Sequence, residues 1–145
     1  MRIAVLNGPN LNLLGQREPE VYGHTSLAEI EAMVREAAGS QDVQIDWFQT
    51  NHEGGMVEAV QGLRGRVDGA LINAAALTHS SLALRDALLA VKIPFVELHL
   101  SNIFAREPER RHSVIADLAI GMVTGFGTQS YLLALQALMG RLRAA

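Results

Sequence analysis

Apolar positions along the chain follow two periods. Short runs rich in β-branched and aliphatic residues occur at 2–7 (RIAVLN), 43–49 (VQIDWFQ), 69–75 (GALINAA), 94–100 (PFVELHL) and 119–125 (AIGMVTG), each too short for an ordinary helix. They predict five strands. Between them, apolar residues recur at helical spacing. Leu27, Ile30, Val34 and Ala38 follow the capping box Ser26-Leu27-Ala28-Glu29, and Met56, Val57, Val60 and Leu63 follow the second run. A third helical segment over about 81–91 carries Leu82, Leu84, Leu88 and Val91, and SYLLALQALMGRLR forms a fourth near the end of the chain. A short helical turn is expected within 111–118.

Strands that alternate with helices read as βαβ units, whose crossovers lay helices on both faces of a parallel sheet. The predicted fold is α/β: a flavodoxin-like three-layer sandwich with a five-stranded parallel sheet in the order 2-1-3-4-5. A chain of 145 residues is long enough for one core, so residues 1–145 are expected to form a single domain. Such folds bind ligands beyond the carboxyl ends of the strands. Those ends are therefore where chemistry is to be sought.

Composition narrows the function classes. A net charge of −3 offers no electrostatic footprint for a polyphosphate backbone, so nucleic acid is not an expected partner. No apolar run approaches the roughly 18 to 20 residues that cross a bilayer, because Asn73, His79, Arg85, Asp86 and Lys92 interrupt the richest region. The apolar opening before Asn7 is too short for a secretory leader, and a cytoplasmic location is expected. The absence of cysteine excludes disulfides and thiolate chemistry.

Polar residues gather where the strands stop. After the first comes NGPNLNLLG, a turn with Asn7, Asn10 and Asn12. After the third comes NAAALTHSS, with Asn73 and His79. After the fourth comes ELHLSNIFAREPERRHS, with Glu97, His99, Ser101, Asn102, Arg106 and Arg110. Each has a plain structural use: asparagines form turns, a histidine beside two serines helps cap a helix, and the basic run is balanced by Glu107 and Glu109. Glu97 and His99 differ, because residues two apart on a strand share a face and a carboxylate beside an imidazole sets its tautomer. Glu97, His99, His79 and His112 could be drawn into a metal site, but the three histidines sit on separate loop positions without close ligand spacing. GFGTQS at 125–130 is an isolated glycine run, and the chain has no P-loop, G-x-S-x-G elbow or H-E-x-x-H helix.

Taken together, LNGPNLNLLGQREPEVYG, QTNHEGGMV, INAAALTHSSLALRDAL and VELHLSNIFAREPERRHS resemble, in order and spacing, the type II 3-dehydroquinate dehydratases. The resemblance runs along nearly the whole chain. It implies a hydro-lyase of the shikimate pathway, in aromatic amino acid biosynthesis, that converts 3-dehydroquinate to 3-dehydroshikimate by anti elimination through an enolate, with neither metal nor organic cofactor. It implies a homododecamer, a tetramer of trimers. Residue by residue it makes Tyr22 the base at the C2 proton and Arg17 its partner on an active-site lid at about 15–24. Asn10 would stabilise the enolate, partly through a water that also meets the Pro9 carbonyl. His99 would protonate the departing C1 hydroxyl, oriented by Glu97. Asn73 and the amides of Leu100 and Ser101 would take the substrate carboxylate, while His79 and Arg110 hold its hydroxyls and Asp86 serves a neighbouring subunit's site. The chain departs from the family at Glu109, Phe104 and Ser130, none of them among those residues.

The implied chemistry is physically coherent. Removing a proton next to a ketone creates an oxyanion, which calls for a base, donors at that oxygen and an acid at the leaving hydroxyl. A tyrosine, with a reference pKa of about 10, needs help to act near neutral pH. One cation about 4 Å away at an effective dielectric of about 20 is worth about 4 kcal/mol, or roughly three pKa units. Arg17 is sufficient if lid closure seats it beside Tyr22. Two other readings stay open at this level: a non-catalytic flavodoxin-like module that binds a flavin or phosphate, and a metal-assisted hydrolase built on the histidines.

Overall fold

Side chains along the first strand, buried from Ile3 to Asn7, alternate between the two faces of the sheet, and that alternation divides the core. Ile3 and Val5 face one side of the sheet, and Ala4 and Leu6 the other. The computed structural model describes residues 1–16, 18, 20 and 23–145. Five strands, β1 (Arg2–Asn7), β2 (Gln44–Gln49), β3 (Gly69–Asn73), β4 (Phe95–His99) and β5 (Gly121–Thr124), pair in parallel in the order β2-β1-β3-β4-β5. The expected topology is thus the observed one. Every residue of β3 and β4 is buried, as required of central strands covered on both faces.

Helices α1 (Leu27–Gly39) and α4 (Gln129–Ala144) cover one face, packing Ile30, Val34, Tyr131, Leu135 and Leu138 onto Ile3, Val5, Leu71, Val96 and Leu98. Helices α2 (Glu53–Gln61) and α3 (Leu82–Val91) cover the other, setting Met56, Val60, Leu84 and Leu88 against Ala4, Leu6, Ala70, Ile72 and Phe95. Ser26 caps α1: its Oγ accepts from the Glu29 amide at 3.2 Å and donates to the Glu29 carboxylate at 3.1 Å. At α3, Ser81 caps, its Oγ accepting from the Leu84 amide at 3.0 Å.

The structure corrects the sequence reading in three places. The third and fourth strands stop at Asn73 and His99 instead of running on, because the next residues turn into the site loops. Within 111–118 only Ala116–Leu118 forms a helical turn, of the 3-10 type. Leu82, expected with the apolar set of its helix, is 64% exposed, because two residues turn about 200° of helix and set it opposite Leu84, Ala87 and Leu88, which point inward. Among the described residues no helix is long and apolar enough to cross a membrane.

Candidate active site

At the carboxyl edge of the sheet, the loops after β1, β3 and β4 enclose a cleft of about 670 Å³, open solvent at its mouth included. What brings the first two loops together is Gly8. Its amide donates to the Asn73 carbonyl at 2.8 Å, and a Cβ there would sit 2.3 Å from the Ala74 carbonyl oxygen. Only glycine allows that approach. Two residues on, Asn10 adopts a left-handed backbone (φ 68°), and its amide donates to Asn51 Oδ1 at 2.9 Å. Gln49 Nε2 braces the same turn by donating to the Gly8 carbonyl and to Asn51 Oδ1, each at 3.1 Å. The end of β2 and the residues just after it therefore shape a loop belonging to β1.

Asn10, Asn73, His79, His99, Leu100, Ser101 and Arg110 all line this cleft. Arg106, to which the sequence assigned no role, lines it too. Glu97 lies beneath the lining, fully buried, with Oε2 2.6 Å from His99 Nε2. Its other oxygen accepts from Ser113 Oγ at 2.9 Å, and that hydroxyl in turn accepts from the amides of Ile115 and Ala116. With Nε2 turned to the carboxylate, Nδ1 is the imidazole nitrogen left for a bound molecule.

His79 is held by a reciprocal pair of bonds to the 112 loop. Its Nδ1 is 2.7 Å from the His112 carbonyl, and His112 Nε2 is 2.8 Å from the His79 carbonyl. A carbonyl only accepts, so Nδ1 of His79 carries the proton and Nε2 keeps its lone pair for a ligand hydroxyl. Burial lowers the His79 pKa below its ordinary 6.5; the bond to the His112 carbonyl raises it, and nearby His99, Arg110 and His112 lower it further. Arg110 reaches the cleft paired with Glu107 at 2.7 Å. Arginines above a site of amide donors suit a small anion with several hydroxyls.

Asp86 does not line the cleft; it is exposed on α3, one helical turn beyond Leu82 and one before Leu89. Tyr22 and Arg17 lie outside the described residues. At the base of the segment that carries them, Gly15 (φ 88°) packs so closely that a Cβ would be 2.8 Å from the His24 carbonyl oxygen. Among the described residues no three His, Asp or Glu side chains gather as a metal-ligand set. Asn51, Gln49, Ser113 and the buried Tyr131 hold site residues in place, yet no spacing signal marks them, since each acts across the fold.

Comparison with known proteins agrees with this geometry. Residues 1–139 match the family described as dehydroquinase class II. The 3-dehydroquinate dehydratase of Synechococcus sp. (strain WH7803) is 58% identical over 143 residues, covering 99% of this chain and 97% of the relative. The catabolic 3-dehydroquinase of Penicillium rubens is 53% identical over 134 residues, with 92% and 86% covered. Among solved structures, the type II dehydroquinase of Butyrivibrio crossotus DSM 2876 superposes with a TM-score of 0.94 at 38% identity, over 96% of this chain and 97% of that one. With the sheet order, the strand-end cleft and a family match over nearly its full length in agreement, the chain belongs to the class II dehydroquinases.

Proposed function

We propose that this class II dehydroquinase is a hydro-lyase that dehydrates 3-dehydroquinate to 3-dehydroshikimate by anti elimination through an enolate, in the cleft at the strand ends. The observation that carries the reading is the convergence of Asn10, Asn73, His79, His99 and Arg110 from three separate loops on one cleft, with Glu97 buried beneath His99. Asn73 and the amides of Leu100 and Ser101 take the substrate carboxylate. His79, through its free Nε2, and Arg110 hold the hydroxyls. The ring is thereby fixed with C2 toward the lid and the C1 hydroxyl toward His99.

Tyr22, activated by Arg17 when the lid at about 15–24 closes, removes the C2 proton. Negative charge moves to the ketone oxygen, where Asn10 and a water held by the Pro9 carbonyl meet it as donors. The enolate then collapses and expels the C1 hydroxyl, which takes a proton from His99 and leaves as water. Glu97 keeps the imidazole aimed throughout. Every proton has a named carrier, so the scheme needs no metal or organic cofactor.

Residues 1–145 work as one catalytic domain within a homododecamer, a tetramer of trimers, in the cytoplasm, on the shikimate pathway. The outward stripe Leu82, Asp86 and Leu89 on α3 supports the assembly: two exposed leucines flank the carboxylate that would enter a neighbouring subunit's cleft. No specific observation favours the flavin module or the metal-assisted hydrolase.

The test is the ultraviolet absorbance of the conjugated product on mixing protein with 3-dehydroquinate in chelator-containing buffer. A steady rise is expected, and a folded protein giving none would overturn the activity. Tyr22→Phe should abolish the rise while substrate binding persists, and an active Tyr22→Phe enzyme would overturn the base assignment. Light scattering should show the dodecamer; an active monomer would exclude Asp86 sharing.

A further inference from the structure

Tyr131 sits on α4, distant in sequence from every residue given a part in the chemistry, and its side chain is fully buried. Its hydroxyl touches two asparagines at adjacent strand ends: Oη is 2.6 Å from Asn7 Oδ1 and 3.0 Å from Asn73 Nδ2. Trp47 packs beside the ring, with centroids 5.9 Å apart. Here a phenol that touches no substrate contacts a side chain that lines the cleft.

The direction of each bond follows from the far end of the chain. The Phe48 carbonyl only accepts, so the Asn7 atom 3.0 Å from it is the amide nitrogen, and Oδ1 faces the phenol. That oxygen also only accepts, so Tyr131 donates its single proton there. Oη is then left as an acceptor, and Asn73 must offer it Nδ2. On the other arm, Asn73 Oδ1 accepts from the Ala75 amide at 3.3 Å. One Asn73 N–H remains, and it is a donor.

We propose that Tyr131 is a positioning residue for substrate binding: by accepting from Asn73 it locks that amide with its free N–H toward the bound carboxylate, so that the anion meets a donor and not a carbonyl oxygen. The inference rests on reading Asn73 as part of the carboxylate subsite. Burial pushes the phenol pKa far above its ordinary value, against a smaller opposing effect of the Asn73 bond, so the proton that sets the direction stays in place at working pH. The polarity of the subsite is thus relayed from a backbone carbonyl on β2 through Asn7 and Tyr131.

Tyr131→Phe keeps the ring and its packing and removes only the hydroxyl. The KM for 3-dehydroquinate should rise about tenfold or more with kcat changed by no more than about twofold, because the donor acts on a carboxylate whose charge stays the same while the C2 proton and the C1 hydroxyl leave, so it binds ground and transition states alike. Asn7→Ala leaves the phenol but frees its proton to donate to a flipped Asn73; it should raise KM likewise, and it carries the test if Tyr131→Phe does not fold. In an Asn73→Ala background neither change should raise KM further. An unchanged KM in Tyr131→Phe, or a rise that persists without Asn73, would overturn the proposal while leaving the carboxylate subsite intact. An unchanged KM in Asn73→Ala alone would instead remove the subsite reading itself.

Discussion

Glu97 Oε2 lies 2.6 Å from His99 Nε2 with both side chains buried, and Ser113 Oγ holds the other carboxylate oxygen at 2.9 Å. The pair meets because side chains two apart on β4 share a face, and the carboxylate is gripped from both ends. Glu97→Gln would keep a neutral partner for the ring but lose the charge that complements it when it carries the proton to be delivered. We expect kcat to fall by about a hundredfold or more, with KM little altered. Ser113→Ala should lower kcat by less, since one anchor remains. Full turnover in Glu97→Gln would refute the orienting role, and the enone absorbance assay reads both.

Asn10 owes its left-handed backbone to a neighbour 41 residues away, the Asn51 side chain that accepts from its amide at 2.9 Å. Asn51→Ala leaves that amide without its partner and releases the turn. The expected loss is about 1 kcal/mol of stability by urea denaturation, with a fall in kcat because the enolate donor is no longer aimed. A stability loss with unchanged kcat would show that Asn51 serves the fold alone.

Gly8→Ala should be the most damaging small substitution in the site. Its Cβ would meet the Ala74 carbonyl carbon at 2.6 Å and the oxygen at 2.3 Å, both backbone atoms that no rotamer change can move. The loops bearing Asn10 and Asn73 must separate. We expect a loss of about 1 to 3 kcal/mol in stability and loss of most activity. Near-normal thermal stability would show that the loops have slack.

His79 predicts a pH dependence of stability. Its pKa is lowered in the folded protein, chiefly by burial, so between that value and 6.5 the unfolded chain binds a proton that the folded one refuses. The contribution is full above 6.5 and declines as pH falls toward the lowered value, below which it adds no further slope. Because the side chain is half-exposed, the effect is modest. His79→Gln should flatten the stability profile over that window, and denaturation curves at a series of pH values will show whether it does.

The parts of this protein legible in its sequence are those governed by local periodicity. The five apolar runs, the helical spacing of Ile30, Val34 and Ala38, and the capping serine at Ser26 are decided by neighbours a few residues apart, so the strands, helices and their layered alternation follow from them. Glu97 and His99 were legible for the same reason, since alternation on a strand is a local rule. Leu82 obeys the same kind of rule, since two residues turn about 200° of helix and set it opposite Leu84. The tertiary structure alone decided the bonds from Asn51 to Asn10, Ser113 to Glu97 and Tyr131 to Asn7, the last joining residues 124 positions apart. Hydrogen bonds between such distant groups leave no period in a chain; they exist only once parallel strands bring their carboxyl ends to one edge and α4 packs beneath them.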